Sequence, residues 1–171
     1  MLIRVGYDII FEHPAPTPMI AMLYLHPSWN LAIRRGDYLL VEPSAPISEY
    51  TDVFGKVYQE RVGVCRDFTH LAVTFCRCLN IPARYCTGYL GDVGVPSSPD
   101  SMDFSAWFEA YLGGRWYAFD PRNHTPRIGR VLMAYGHAAA EVALLTSFGP
   151  SRLDRFTVWT DEVGEEALAP V

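Results

Sequence analysis

The sequence is short of positive charge, of long apolar runs and of cysteine, and each shortage closes off a class of function. Fourteen lysine and arginine residues face nineteen acidic ones across 171 residues, a formal charge of −5. No basic run interleaved with aromatics tracks a phosphate backbone, so no nucleic-acid partner is expected. No segment offers the roughly eighteen uncharged residues of a membrane span. The N-terminal MLIRVGYDIIFEHP carries Arg4, Asp8 and Glu12 in its apolar stretch, which the core of a secretory leader does not tolerate. No membrane association is expected, and a cytoplasmic location is the default expectation. The four cysteines, Cys65, Cys76, Cys78 and Cys86, crowd into one stretch, whereas a disulfide framework would spread them through a small, loop-rich chain. They are read as reduced thiols. No acidic cluster supports calcium. Cys76-Arg77-Cys78 is a poor zinc site, because helical residues two apart point about 200° away from each other. No metal and no cofactor is expected, and no internal repeat is visible.

What is there fits one sizeable core: 50% of residues are apolar and 19% charged. Residues 2–12 read as a strand that breaks at His13-Pro14-Ala15-Pro16, and 19–25 as a second strand stopped by Pro27. DYLLVEP at 37–43 permits a third, before a loop marked by Pro43 and Pro46. A small N-terminal β region over 1–45 thus precedes the main unit at 58–163, with the boundary inside 43–60. From Val64 to Leu79 the apolar residues Val64, Phe68, Leu71, Ala72, Phe75 and Leu79 recur by threes and fours, which predicts a helix ending at Asn80. A strand at 83–90 and a loop at 91–101 follow. Residues 103–122, DFSAWFEAYLGGRWYAFDPR, give the strongest hairpin signal, two aromatic-rich runs around a Gly113-Gly114 pair suited to a type I′ turn. With that turn Tyr111 faces Trp116 and Trp107 faces Asp120. One face then holds Phe104, Ala106, Phe108, Ala110, Tyr117 and Phe119, and the other Ser105, Trp107, Glu109, Tyr111, Trp116, Ala118, Asp120 and Arg122. Chemistry is expected on the second, polar face. A short strand or helix near 131–133, a strand near 142–148, a last strand at 153–160 and a fraying tail complete the chain.

Cys65 opens the helix two residues after Gly63, which lets the chain turn sharply. A thiol there meets unpaired backbone N–H groups and the positive end of the helix dipole, both of which favour a thiolate. Free cysteines are nonetheless more often buried small residues than nucleophiles, and position alone does not choose between the two.

The motifs G-V-C-R-D-F-T-H-L-A, N-I-P-A-R after the helix, A-W-F-E and F-D-P occur in the order and spacing of the transglutaminase-like superfamily, a papain-like cysteine fold. The chain resembles that family densely over 58–125. More loosely, the whole of it resembles bacterial transglutaminase-like proteins with a small β region ahead of this core. The resemblance implies an α+β fold in which a nucleophile helix packs on an antiparallel β-sheet. It also implies a cysteine nucleophile, a general-base histidine two residues before the tryptophan, and an aspartate that orients it. Position by position these are Cys65, Ser105 and Asp120. Ser105 departs from the family's histidine, and a serine near neutral pH neither takes a thiol's proton usefully nor hands one to an amine leaving group.

His124 is the expected substitute base. On an extended strand it would share Asp120's face, and the resemblance implies a histidine just past the aspartate; the competing reading is a surface histidine in an Asn-His-Thr-Pro turn. His70 lies about 140° around the helix from Cys65 and is expected to pack. Trp107, Tyr111 and Trp116 are candidates for substrate contact, and Arg122, Arg127 and Arg130 read as ion-pairing residues. Family members also place an extended, partly helical region before the nucleophile helix, for which only about 44–60 is available here. That leaves part of the cleft wall absent, or left for another chain to complete. Two functions follow. One is a cysteine-dependent amide-bond enzyme, a peptidase, amidase or acyltransferase, working through a Cys65 acyl-thioester on a peptide or protein substrate. The other is a degenerate member that binds a peptide or partner protein in the cleft. Nothing in the sequence indicates an oligomer.

Overall fold

A computed structural model describes residues 1–15, 17–35, 62–99, 102–125 and 127–168. The strand expected at 37–43 and the boundary at 43–60 lie outside them. The central feature is a four-stranded antiparallel sheet in the order β5-β4-β3-β6, built from β3 (Ala83–Leu90), β4 (Ser105–Leu112), β5 (Arg115–Phe119) and β6 (Arg130–Gly136). The β4–β5 hairpin forms as expected: Gly113 and Gly114 have φ of 55° and 91°, the two positive values a type I′ turn requires. Tyr111 pairs with Trp116 and Phe108 with Phe119.

Helix α1 (Cys65–Cys78) lies across β4 and β3, where Ala72, Val73 and Cys76 meet Ala83, Phe108 and Ala110. The buried stripe differs from the apolar stripe predicted from spacing. Asp67, Thr69 and Val73 are buried, whereas Val64, Phe75 and Leu79 are 50%, 48% and 71% exposed. The sheet supplies the bulk at this contact, so the helix meets it with small residues that allow a close approach.

The two ends of the chain come together. β1 (Leu2–Glu12) pairs along its length with β8 (Arg152–Val163), with a bulge at Ile10/Phe11. β2 (Met19–Ala21) pairs with β7 (Leu145–Ser147). The β1–β8 ribbon packs through Ile3, Val5, Tyr7, Ile9 and Val158 onto Tyr89, Phe104, Val131 and Met133. Phe104 stands among Tyr89, Phe156 and Tyr7 at 5.1, 5.8 and 6.2 Å between ring centroids. Tyr85 and Tyr89 lie four apart on β3 and so share a face; Tyr85 packs in the cluster that also takes in Cys65. One sheet face therefore carries α1 at one end and the ribbon at the other.

Three expectations need adjusting. The second strand stops at Ala21. The strand near 142–148 begins only at Leu145, after a 3-10 turn at Ala139–Val142; the Glu141 carboxylate accepts the His137 N–H there at 2.7 Å. The tail forms a 3-10 turn at Glu165–Leu168. Among the described residues no helix is long and apolar enough to cross a membrane.

Candidate functional site

Cys65 is the first residue of α1. Val64, at the N-cap, has extended backbone angles and no side-chain acceptor. Asp67 compensates: its Oδ2 accepts the Val64 N–H at 2.8 Å and its Oδ1 accepts Arg66 Nε–H at 3.3 Å. A buried carboxylate in the first turn is where the helix dipole favours it. Asp67 thus fixes the turn that presents Cys65. The Cys65 side chain is half-buried on the cluster formed by Tyr85, Ala106, Ala134, Ala139 and Val142, whereas Ser105, next to Ala106 on β4, shares the opposite sheet face with Trp107. Ser105 opens β4 opposite Gly88, and its carbonyl accepts the Thr87 hydroxyl at 3.3 Å. Burial pushes Cys86 up to about 12, with Glu109 adding to the effect, and burial raises Cys76.

Asp120 follows β5 directly, with its side chain 3% exposed. Its Oδ1 accepts the backbone N–H groups of Arg122 and Asn123 at 3.1 and 3.0 Å. Its Oδ2 accepts Asn123 Nδ2–H at 2.7 Å and Arg130 Nη2–H at 3.1 Å. Burial alone would raise this carboxyl; the bonds from Asn123 and Arg122 and the Arg130 charge outweigh it and hold the group below its ordinary range. A carboxylate offers about four acceptor positions, and all are taken.

His124 is not carried on an extended strand. β5 stops at Phe119, the Asp120 bonds curl the chain into an Asx-type turn, and His124 sits exposed with φ 53°. No hydrogen bond joins it to Asp120 among the described residues. His70 uses its Nε2 to accept the Ala139 N–H at 3.3 Å, and its ring lies 5.0 Å from Tyr85. Burial first, then Arg66, lowers its pKa; Asp67 opposes and Arg77 adds to the fall. It is a neutral imidazole that ties the 3-10 turn at Ala139–Val142 to α1.

The structure brings Trp107, Tyr111 and Trp116 to the sheet face away from α1. Trp107 is buried, and the Tyr111 and Trp116 rings meet at 5.3 Å. Arg84 lies over Trp116 at 4.3 Å and Tyr135 at 3.9 Å, and its Nε donates to Glu109 at 2.6 Å. A cavity of about 480 Å³ opens on this face, lined by Trp107, Arg84, Glu109 and Arg130 and also by His26, Trp29 and Tyr135. The last three were missed in the sequence, where no motif links them to the hairpin. Arg127 and Arg130 pair with Asp92 and Asp120, as ion-pairing residues should.

The sequence profile of the transglutaminase-like superfamily matches residues 29–121. The chain belongs to the transglutaminase-like superfamily. The match takes in Cys65, Ser105 and Asp120 and ends before His124. The crystal structure of "a Putative Cysteine Protease" from Cytophaga hutchinsonii is similar with a TM-score of 0.57 and 41% identity, over 67% of this chain and 39% of that one. An uncharacterized protein of Mycobacterium leprae (strain TN) is 41% identical over 64 residues, 36% of this chain and 22% of the relative. The transglutaminase-like chain therefore spans well under half the length of either.

Proposed function

We propose that this transglutaminase-like chain is a cysteine-dependent amide-bond enzyme with Cys65 as its nucleophile. The observation that carries this reading is the placement of Cys65. It is half-buried at the first turn of α1, packed on the cluster that contains Tyr85 and Ala106, and Ser105 at the start of β4 and Asp120 just past β5 lie at the open end of the hairpin. The description of the Cytophaga hutchinsonii relative supports it. The Cys65 sulfur, deprotonated by His124, attacks the substrate carbonyl carbon. The C–N bond breaks, the amine departs with the proton from His124, and a thioester remains on Cys65. Water or an amine then attacks the thioester, loses its proton to His124, and the sulfur leaves as thiolate. The Cys65 backbone N–H contributes to holding the oxyanion. Asp120 acts as a positioning residue that builds the turn carrying His124.

A second reading is favoured by one observation: with serine at 105 and every acceptor position of Asp120 filled, the site suits a module that binds a peptide without turning it over. Iodoacetamide labelling resolved by mass spectrometry separates the two. The enzyme reading expects Cys65 to alkylate on the order of tenfold faster than the exposed Cys78, and to slow in His124→Ala. A Cys65 that is slow in the wild type, indifferent to His124, and accelerated only by Ser105→His would mark the binding module.

A further inference from the structure

β5 is an edge of the four-stranded sheet, and among the described residues its outer side has no strand beside it. Natural proteins blunt such edges with proline, bulges or charge. β5 has no proline and its register against β4 is unbroken; all five of its residues are exposed. Its one charge is turned back, since Arg115 Nε donates to the Tyr117 hydroxyl and the guanidinium lies over the Tyr117 ring at 4.5 Å. Trp116, Tyr117 and Phe119 are 41%, 37% and 41% exposed, and Tyr111 and Leu112 across the turn are 41% and 39%. With about 150–250 Å² for a whole aromatic side chain, their exposed area sums to about 350 Å², divided along the strand edge between Tyr111 and Trp116 on one sheet face and Leu112, Tyr117 and Phe119 on the other. It supplies a little under half of the roughly 800 Å² per partner of a standard interface. The backbone edge and the hairpin tip lie beside it to add to that area.

Backbone parity decides which groups face outward. A two-residue type I′ turn closes on a hydrogen-bonded pair, here Leu112 and Arg115. Tyr117 and Phe119 therefore spend their N–H and C=O on β4, while Trp116 and Ala118 point theirs to the open side. β5 is complementary to itself in this respect. Run antiparallel about a two-fold axis at Tyr117, the midpoint of the strand, Trp116 of each copy meets Ala118 of the other, and both are hydrogen-bonded pairs. In that register Arg115 faces Phe119 and Tyr117 faces Tyr117, so no like charges are opposed.

We propose that the chain forms a two-fold dimer by antiparallel pairing of β5 with β5 of a second copy, centred on Tyr117, which joins two four-stranded sheets into one. The interface is isologous and closed. Its register also brings the Gly113-Gly114 turn of the second copy level with Asp120, so each copy walls the end of the other's candidate site. The dimer does not rest on the catalytic reading.

The test uses the full chain in sedimentation velocity across the micromolar range. Tyr117 meets itself on the axis, so Tyr117→Lys and Tyr117→Glu each oppose like charges and lose a central aromatic. Each should weaken dimerisation ~30-fold or more, the loss expected of a central anchor residue. Mixing the two variants should restore dimer at concentrations where neither forms it alone. Circular dichroism checks that both variants fold. As a second measurement, Tyr117→Cys should cross-link on mild oxidation, with the disulfide mapped by mass spectrometry to 117 in both chains. A wild type that stays monomeric throughout, including one that instead takes up an extended peptide on this edge, overturns the proposal. So does a dimer indifferent to both charged variants, or a mixture that stays monomeric.

Discussion

Replacing Arg130 with methionine keeps much of the side-chain volume and removes the cation that sits 3.1 Å from Asp120. The two side chains are 17% and 3% exposed, so the pair is shielded but not dry. Two unit charges at 4 Å attract by about 4 kcal/mol at an effective dielectric of 20, and the cost of desolvating both offsets part of that. Asp120 would keep its bonds from Asn123 and from the Arg122 N–H, so its charge is not orphaned. The expected loss is therefore ~2 kcal/mol, within the range of one hydrogen bond to a charged group. In urea unfolding at pH 7 followed by tryptophan fluorescence, with m on the order of 2 kcal/mol/M, the midpoint should fall by ~1 M. The pH dependence carries a second signature. Asp120 is held below the ordinary carboxyl value, so its contribution is present above pH ~4 and disappears as the pH falls through its folded value. The gap between wild type and Arg130→Met should accordingly close in acid. Asn123 opposes the burial of Asp120 more strongly than Arg130 does, so Asn123→Ala should raise the Asp120 pKa more than Arg130→Met. A gap under ~0.5 kcal/mol at pH 7, or one that survives undiminished in strong acid, refutes the reasoning.

Other outcomes follow from the same structure. A Cβ on Gly88 would stand 2.2 Å from the Val131 carbonyl oxygen, where backbone must move, so Gly88→Ala should cost ~2 kcal/mol or more in calorimetry; a change under half of that would mean β3 and β6 can part freely. Gly113 has open space around it and φ 55°, so Gly113→Ala should lose ~1 kcal/mol from backbone strain alone while Gly113→Asn loses little; equal losses would contradict a type I′ turn. His70 is held neutral, so the stability it contributes is present above ~6.5 and fades as the pH falls through its lowered folded value. A His70 NMR titration midpoint at or above 6.5 would remove that account.

The parts of the fold that could be read from the sequence are those whose determinants are local. The β4–β5 hairpin needs only two alternating runs and a Gly-Gly turn, and α1 needs only its period and the stop at Asn80. The β1–β8 pairing joins opposite ends of the chain and leaves no local trace. The packing face of α1 was misplaced because spacing counts apolar residues without knowing that Tyr85 and Phe108 already fill the contact. Cys65, Ser105 and Asp120 were singled out as candidates through ordered motifs. The partners of Asp120 were not, because Arg130 arrives from β6 after the chain has turned, and because the bonds that end β5 at Phe119 are made by backbone N–H groups that any sequence possesses. His26, Trp29 and Tyr135 reach the cavity from separate elements, and only the fold assembles them.

The most direct test of Cys65 as a nucleophile is the reaction of the intact chain with p-nitrophenyl acetate, with p-nitrophenolate release followed alongside acid-quenched mass spectrometry. The account predicts a burst of about one equivalent, an acetyl group mapped to Cys65 and not to Cys78, turnover of that thioester in the wild type, and loss of burst and turnover in Cys65→Ala. Acetylation spread over the exposed thiols, or a burst that persists in Cys65→Ala, would contradict it.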